Sequence, residues 1–443
     1  MATPLFRLCT LHYAAGQDKG TGPPRSKHSY VPDHDEVLNF LLLLALVLVA
    51  AKGAGWLSLR VGQPAVLGEL LAGVVLGPSL LDILHLRPFA GEAMAAGIFL
   101  LANIGVVLLM FIAGLETNLE QMRRVGGVAV AAGVAGVVVP LLLGLAVALP
   151  FGFGLQKSAF MGIVLTATSV SITVQTLIEL RQLDSKEGAT LLGAAVVDDV
   201  IALVVLSVFV AVSLADGGGP TGLVLLRMAA FFLAAILLGR IFRAVLAAAD
   251  RTPVSEGLLS ATLIAALAYA WGAEALGGVA AITGAYLAGV LVTQAGYRHE
   301  VERRLKAFTY ALLIPIFFIS IGLQTNARAL AVQDIPLAVL MIFAAVAGKI
   351  VGCGAGARLA GFTGREALRI GVGMISRGEV GLIIAALGLQ TGLLPERGFA
   401  IMVIMVLATT VITPPLLRAV FPHVVPSEEA AIEAAFGETN DPR

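Results

Sequence analysis

The chain has 443 residues, 58% of them hydrophobic and 13% charged, with a mean hydropathy of +0.94. A soluble globular enzyme carries roughly 25% charged residues, so this composition excludes one and requires a protein embedded in a bilayer. The 29 basic and 29 acidic residues balance, which removes the electrostatic case for a nucleic-acid partner. The two cysteines, Cys9 and Cys353, provide neither a disulfide framework nor a metal-ligand cluster.

In chain order, residues 1–36 form a polar tail rich in Gly and Pro that lacks the continuous apolar core of a signal peptide and is expected to be disordered. From residue 37 to residue 421, polar punctuation divides the chain into thirteen apolar runs. They lie at about 37–59, 64–83, 93–115, 125–149, 158–180, 188–214, 221–247, 255–275, 277–295, 304–323, 335–360, 366–391 and 398–420. Each approaches the length of about 20 residues that a spanning helix needs. The fold class expected is therefore an all-α polytopic membrane protein, and the short connections leave no room for an extramembrane domain before the tail at 422–443. Seventeen Lys and Arg fall in the segments that follow odd-numbered runs or at the C-terminal end, among them Arg123, Arg124, Arg303, Arg304, Lys306 and Arg365. Only Arg87, Lys157, Arg328 and Arg397 follow even-numbered runs. By the positive-inside rule the N-terminus lies outside the inner (plasma) membrane and the C-terminus in the cytoplasm.

Charges within the runs identify the machinery. Lys52 and Arg227 lie in the outer thirds of their helices, where long stems snorkel to the interface. Lys349 sits near the middle of the eleventh run and needs a partner or water. The sixth run holds Asp198-Asp199 between apolar flanks. Adjacent helical positions differ by about 100°, so these two side chains must have different partners, and Lys349 is the candidate for one of them. A carboxylate left without a cation in a low dielectric takes up a proton readily, so such a site holds a proton or a hard cation in turn. Hard cations also need neutral oxygens. The fifth run supplies five hydroxyls between Thr166 and Thr173, including Thr168 and Ser169. The twelfth run is interrupted by Gly371, Gly373, Gly378 and Gly381 around Arg377 and Glu379. Both are candidate discontinuous helices, with Arg377 and Glu379 placed to compensate the partial charges of helix ends at mid-membrane. If the seventh run is a linker, runs one to six and eight to thirteen form two inverted-topology six-helix repeats with interrupted helices crossing at mid-membrane, the pattern of a secondary transporter. A channel would instead need a filter-like ring of carbonyls, which the sequence does not suggest.

With these residues assembled, the chain resembles the monovalent cation:proton antiporter-2 family, in particular its NapA-type sodium/proton antiporters. The likeness runs through Gln63-Pro64 to Gly77-Pro78, Phe111 to Glu116, Thr168-Ser169-Val170, Gly193 to Asp199, Lys349, and Gly373 to Leu382. It implies a homodimer, with dimerisation helices at about 37–115 and 255–323, core helices at about 125–214 and 335–420, and the linker at 221–247. It also implies that Asp199 is the main cation and proton carrier, that Asp198 forms a salt bridge with Lys349, and that Thr168 and Ser169 line the crossing of the broken helices. No cofactor is implied beyond the transported ions: sodium or lithium, alternatively potassium, and protons. Glutathione-gated potassium-efflux relatives carry Gln-Asp at the paired position and electroneutral relatives Asn-Asp. Asp198-Asp199 with Lys349 therefore resembles the electrogenic type, with two protons exchanged per sodium.

Overall fold

A computed structural model describes residues 34–117, 119–183, 185–213, 221–252 and 255–421. The two polar tails expected to flank the membrane part lie outside the described residues, apart from 34–36, which already belong to the first helix. Among the described residues the structure is helical with no strand. In order come α1 (His34–Arg60), α2 (Ala65–Leu76), α3 (Glu92–Glu116), α4 (Leu119–Ala148), α5 (Leu155–Thr166), α6 (Val170–Glu179), α7 (Lys186–Ser213) and α8 (Thr221–Arg251). They are followed by α9 (Gly257–Ala275), α10 (Ala281–Ala295), α11 (Arg298–Phe308), α12 (Ile314–Gln324), α13 (Ile335–Leu359), α14 (Gly364–Gly373), α15 (Glu379–Gln390) and α16 (Glu396–Val420). A π-helical turn, Thr309–Leu313, joins α11 to α12.

Among the described residues, eight helical stretches are each long and apolar enough to cross a bilayer, or nine if the bent α8 counts as one. That is fewer than the thirteen expected runs, for physical reasons. Gly77-Pro78 stops α2 at twelve residues, since proline disfavours helical geometry in the residue before it. At 1.5 Å per residue α2 is too short to span the hydrocarbon core alone. The ninth run begins as a turn, with Gly278 at φ +65°, and its helix α10 has fifteen residues. The fifth and twelfth runs are each broken in two, at 167–169 and 374–378. The tenth run starts earlier than its apolar pattern indicates, because the charged helix α11 continues into it through the π-helical turn.

Two sets of helices pack closely through small residues, as bilayer helices do when no hydrophobic drive separates them from lipid. In one set α2 lies against α1 and α12, and α3 against α10. In the other α4 lies against α5, α7 and α13, and α13 against α14 and α16. The α4–α13 seam is the most extensive of these packings. Gly348, Gly352 and Gly356, spaced by four on one face of α13, meet Pro140, Ala135 and Ala131 of α4. A Cβ at Gly352 would stand 2.5 Å from the Ala135 carbonyl oxygen and 3.1 Å from Val139 Cβ, so the backbones can approach this closely only without a side chain there. Gly352→Ala is therefore expected to cost about 1–3 kcal/mol by overpacking and to lower the thermal unfolding midpoint of the purified protein. Gly53→Ala, with nothing within 4 Å of the added methyl, should leave the midpoint unchanged or slightly higher; equal midpoints for the two variants would contradict the seam.

Candidate functional site

Two fully buried charges meet between α7 and α13. Lys349 Nζ donates to Asp198 Oδ1 at 2.6 Å, and both side chains are 0% exposed. The other oxygen of Asp198 accepts from Thr168 Oγ1 at 2.7 Å, so both carboxylate oxygens are engaged. Thr168 reaches it because the chain is unwound there, between the end of α5 at Thr166 and the start of α6 at Val170. Gly136 of α4 closes the other side. A Cβ at that position would run into Cys353 Sγ and stand 3.3 Å from Asp198 Oδ1 and 3.6 Å from Lys349 Nζ.

The two breaks are joined to one another. The Ser169 backbone N–H donates to the Ser376 carbonyl at 2.8 Å, and Thr173 Oγ1 donates to the Gly373 carbonyl at 2.7 Å. The ends of α5 and α14 leave carbonyls without intrahelical donors in the interior, where each would carry a large desolvation cost. Arg377 answers them with its fixed fork of N–H groups. Nε and Nη2 donate to Leu165 O at 3.2 and 2.8 Å, Nη2 also to Ala345 O at 3.0 Å, and Nη1 to the carbonyls of Met374 and Ile375. Thr410 Oγ1 holds the carbonyl of Arg377 itself at 2.5 Å. Glu379 opens α15, where a carboxylate complements the helix N-terminus, and accepts from Ser169 Oγ at 3.3 Å. Among the described residues Arg377 and Glu379 make no salt bridge with each other: the arginine is consumed by carbonyls. Gly378, between them, leaves space for Ser169, whose Cβ and Oγ would both lie 2.6 Å from an added methyl.

Asp199 follows Asp198 on α7 but faces another way, as helix geometry requires. It is half-buried, and its Oδ1 is buried yet accepts no hydrogen bond from the protein. Asp198, Lys349, Glu379 and, from the end of α3, Glu116 are the charges whose fields reach it. The arrangement thus holds one carboxylate fixed by an ammonium and a hydroxyl beside a second whose oxygen is available to a proton or a cation.

Two ion pairs escape the apolar pattern. Lys52 is exposed, and its Nζ also reaches Glu69 Oε1 at 3.3 Å and the Tyr310 carbonyl, in the π-helical turn, at 2.9 Å. Arg227 is exposed, as a snorkelling residue would be. Lys306 lies between Glu116, at 2.6 Å, and Glu302, at 2.7 Å. The Lys306–Glu116 pairing joins residues 190 apart in sequence, for which helical periodicity gives no signal.

Comparison with known proteins gives concordant results. Residues 38–421 match the family described as sodium/hydrogen exchanger, transmembrane. The chain is 39% identical over 383 residues to the Na(+)/H(+)-K(+) antiporter GerN of Bacillus cereus, covering 86% of this chain and 96% of that one. It is 34% identical over 386 residues to a Na(+)/H(+) antiporter of Enterococcus hirae, covering 86% and 98%. The solved structure of the sodium proton antiporter MjNhaP1 from Methanocaldococcus jannaschii superimposes with a TM-score of 0.65 at 16% identity, over 86% of this chain and 96% of that one, a likeness of fold.

Removing one partner of a buried ion pair strands the other. Asp198→Asn should therefore destabilise the protein by about 3–5 kcal/mol, read as a lower unfolding midpoint in detergent. Adding Lys349→Met should recover most of that loss; a single variant as stable as the parent would show that the pair carries no such constraint.

Proposed function

The chain belongs to the sodium/hydrogen exchanger family, and from that membership we propose how its residues carry out the exchange. It is a multi-pass membrane transporter that moves monovalent cations against protons, and not an enzyme. In our reading Asp199 is the carrier, loaded alternately with a cation and a proton. The observation that carries this reading is its buried Oδ1 without a protein donor, beside an Asp198 whose two oxygens are both committed. Oxygens at the breaks, from Thr168 and Ser169, complete the coordination of a hard cation. Arg377 and Glu379 keep the interrupted helices neutral enough to remain at that depth.

The close α4–α13 seam supports a core of α4–α7 and α13–α16 that moves as a body against a scaffold of α1–α3 and α9–α12, with α8 as linker. This motion carries the site between the two faces in alternating access. The scaffold is where two copies would join as a homodimer in the inner membrane, oriented by the excess of Lys and Arg with the N-terminus outside and the C-terminus in the cytoplasm. Sodium, with lithium, is the favoured cation. Potassium is the second reading, supported by the printed name of the relative at 39% identity, which includes K(+). Proton release from proteoliposomes as sodium, lithium and potassium chloride are added in turn separates the two.

Protons and cations compete for one carboxylate, so protons occupy it at low pH and release it as pH rises. The half-saturation constant for sodium should accordingly fall from about pH 6.5 to about pH 9. Asp199→Asn, which cannot take a proton, should reduce sodium-driven proton movement to the level of empty liposomes. A constant that ignores pH, or an exchanging variant, would remove Asp199 from the carrier role.

Lys349 decides whether net charge moves. When sodium arrives and loosens the bridge to Asp198, an ammonium in a low dielectric is placed to release its proton, so that two protons cross for each sodium. The parent in proteoliposomes should then respond to a clamped membrane potential. Lys349→Gln, where it transports, should lose that response; a parent rate indifferent to voltage would leave only electroneutral exchange.

A further inference from the structure

At the end of the molecule opposite the Glu116–Lys306 pair, a cavity of about 230 Å³ separates the proposed scaffold from the proposed core. Its walls come from α3, α9, α10 and α12 on one side and from α15 on the other, and they are mostly apolar. Five polar side chains interrupt them: Asn103, Glu274, Ser320, Gln324 and Gln390. No Lys or Arg lines it. Asn103 Oδ1 accepts from Gln390 Nε2 at 3.3 Å, a bond that crosses from α15 to α3.

Glu274 is an exposed residue of the cavity wall. It stands in the last turn of α9, the negative end of the helix dipole, where a cation and not a carboxylate is favourable. It makes no salt bridge or hydrogen bond among the described residues, whereas at the other end of the molecule Glu116 is paired with Lys306, and Glu302 with Lys306 and Arg298. A lone carboxylate beside mostly apolar walls carries a negative potential into the cavity and concentrates cations there. The neighbouring amide and hydroxyl oxygens are hard acceptors that suit a partly hydrated monovalent cation.

Resting on the proposed exchange at Asp199, we infer that Glu274 is the recruiting carboxylate of a cation vestibule on this one face, the outer face in the orientation proposed above. It draws a hydrated monovalent cation into the cavity before the cation passes to the mid-membrane site. The two mouths are thereby unequal: a free carboxylate serves this face, whereas those at the opposite face are neutralised by Lys306 and Arg298.

The test compares right-side-out with inverted membrane vesicles from a host that lacks antiporters of its own, so that added sodium chloride meets one face or the other. At low ionic strength Glu274→Gln should raise the half-saturation constant for sodium at the outer face by roughly three- to ten-fold. The constant at the inner face should not change. Choline chloride, which screens the carboxylate, should bring parent and variant together. Glu274→Asp, which keeps the charge, should stay close to the parent. The unfolding midpoint of Glu274→Gln should equal or exceed that of the parent, since the helix dipole is relieved. Constants unchanged at both faces, raised equally at both, or raised as much by Glu274→Asp as by Glu274→Gln would overturn the inference. A parent that drives no proton movement would overturn the exchange reading as well, whereas an exchanging parent with an indifferent Glu274→Gln overturns the vestibule alone.

Discussion

The structure is organised around one interaction that a bilayer makes expensive, the fully buried bridge between Lys349 on α13 and Asp198 on α7. An ammonium and a carboxylate at this depth repay their desolvation only if the contact is close and the remaining valences are met. Each neighbouring feature serves that condition. Thr168 takes the second carboxylate oxygen, which requires the chain to be unwound at the end of α5. Gly136 lets α4 pass beside the pair, and the glycines of α13 bring its backbone onto α4. Unwinding one helix creates new free carbonyls, and Arg377 meets them from the second broken helix, together with those of its own α14 end. The two breaks and the ion pair are thus a single construction.

Placing two carboxylates in succession on a helix then has a chemical result that neither would have alone. The 100° turn between them gives Asp198 to the lysine and directs Asp199 elsewhere, into a half-buried environment with no donor on one oxygen. Asp198 is committed on both oxygens, whereas a buried oxygen of Asp199 accepts nothing from the protein. In the exchange proposed above, an acid that holds either a proton or a cation, but not both, couples the two as long as the empty site does not cross between the faces.

Much of this was legible in the sequence, because a membrane makes exceptions visible. Lys349, Asp198-Asp199 and the Arg377–Glu379 segment stand out as groups that cost too much to occur without a role, and hydroxyls and glycines within apolar runs mark where helices are interrupted. What escaped notice involves partners distant along the chain or ends set by local geometry. Arg377 and Glu379 read as compensating helix ends, but the particular carbonyls that the guanidinium meets, those of Leu165 and Ala345, are brought to it only by the end of α5 and the packing of α13. Lys52 reads as a snorkelling residue, yet the Tyr310 carbonyl in the π-helical turn and the nearby Glu69 give it partners within reach. Helices α2 and α10 are shorter than their apolar runs because Gly77-Pro78 and Gly277-Gly278 turn the chain while hydropathy stays high.

The central claim is that a proton and a cation occupy Asp199 in turn. It is tested most directly by the protons released when sodium chloride is added to the purified protein in weakly buffered solution, without a membrane or a gradient. The parent should release protons on binding sodium, and Asp199→Asn should release none. Sodium binding by the parent without proton release, or release that survives unchanged in Asp199→Asn, would contradict the account.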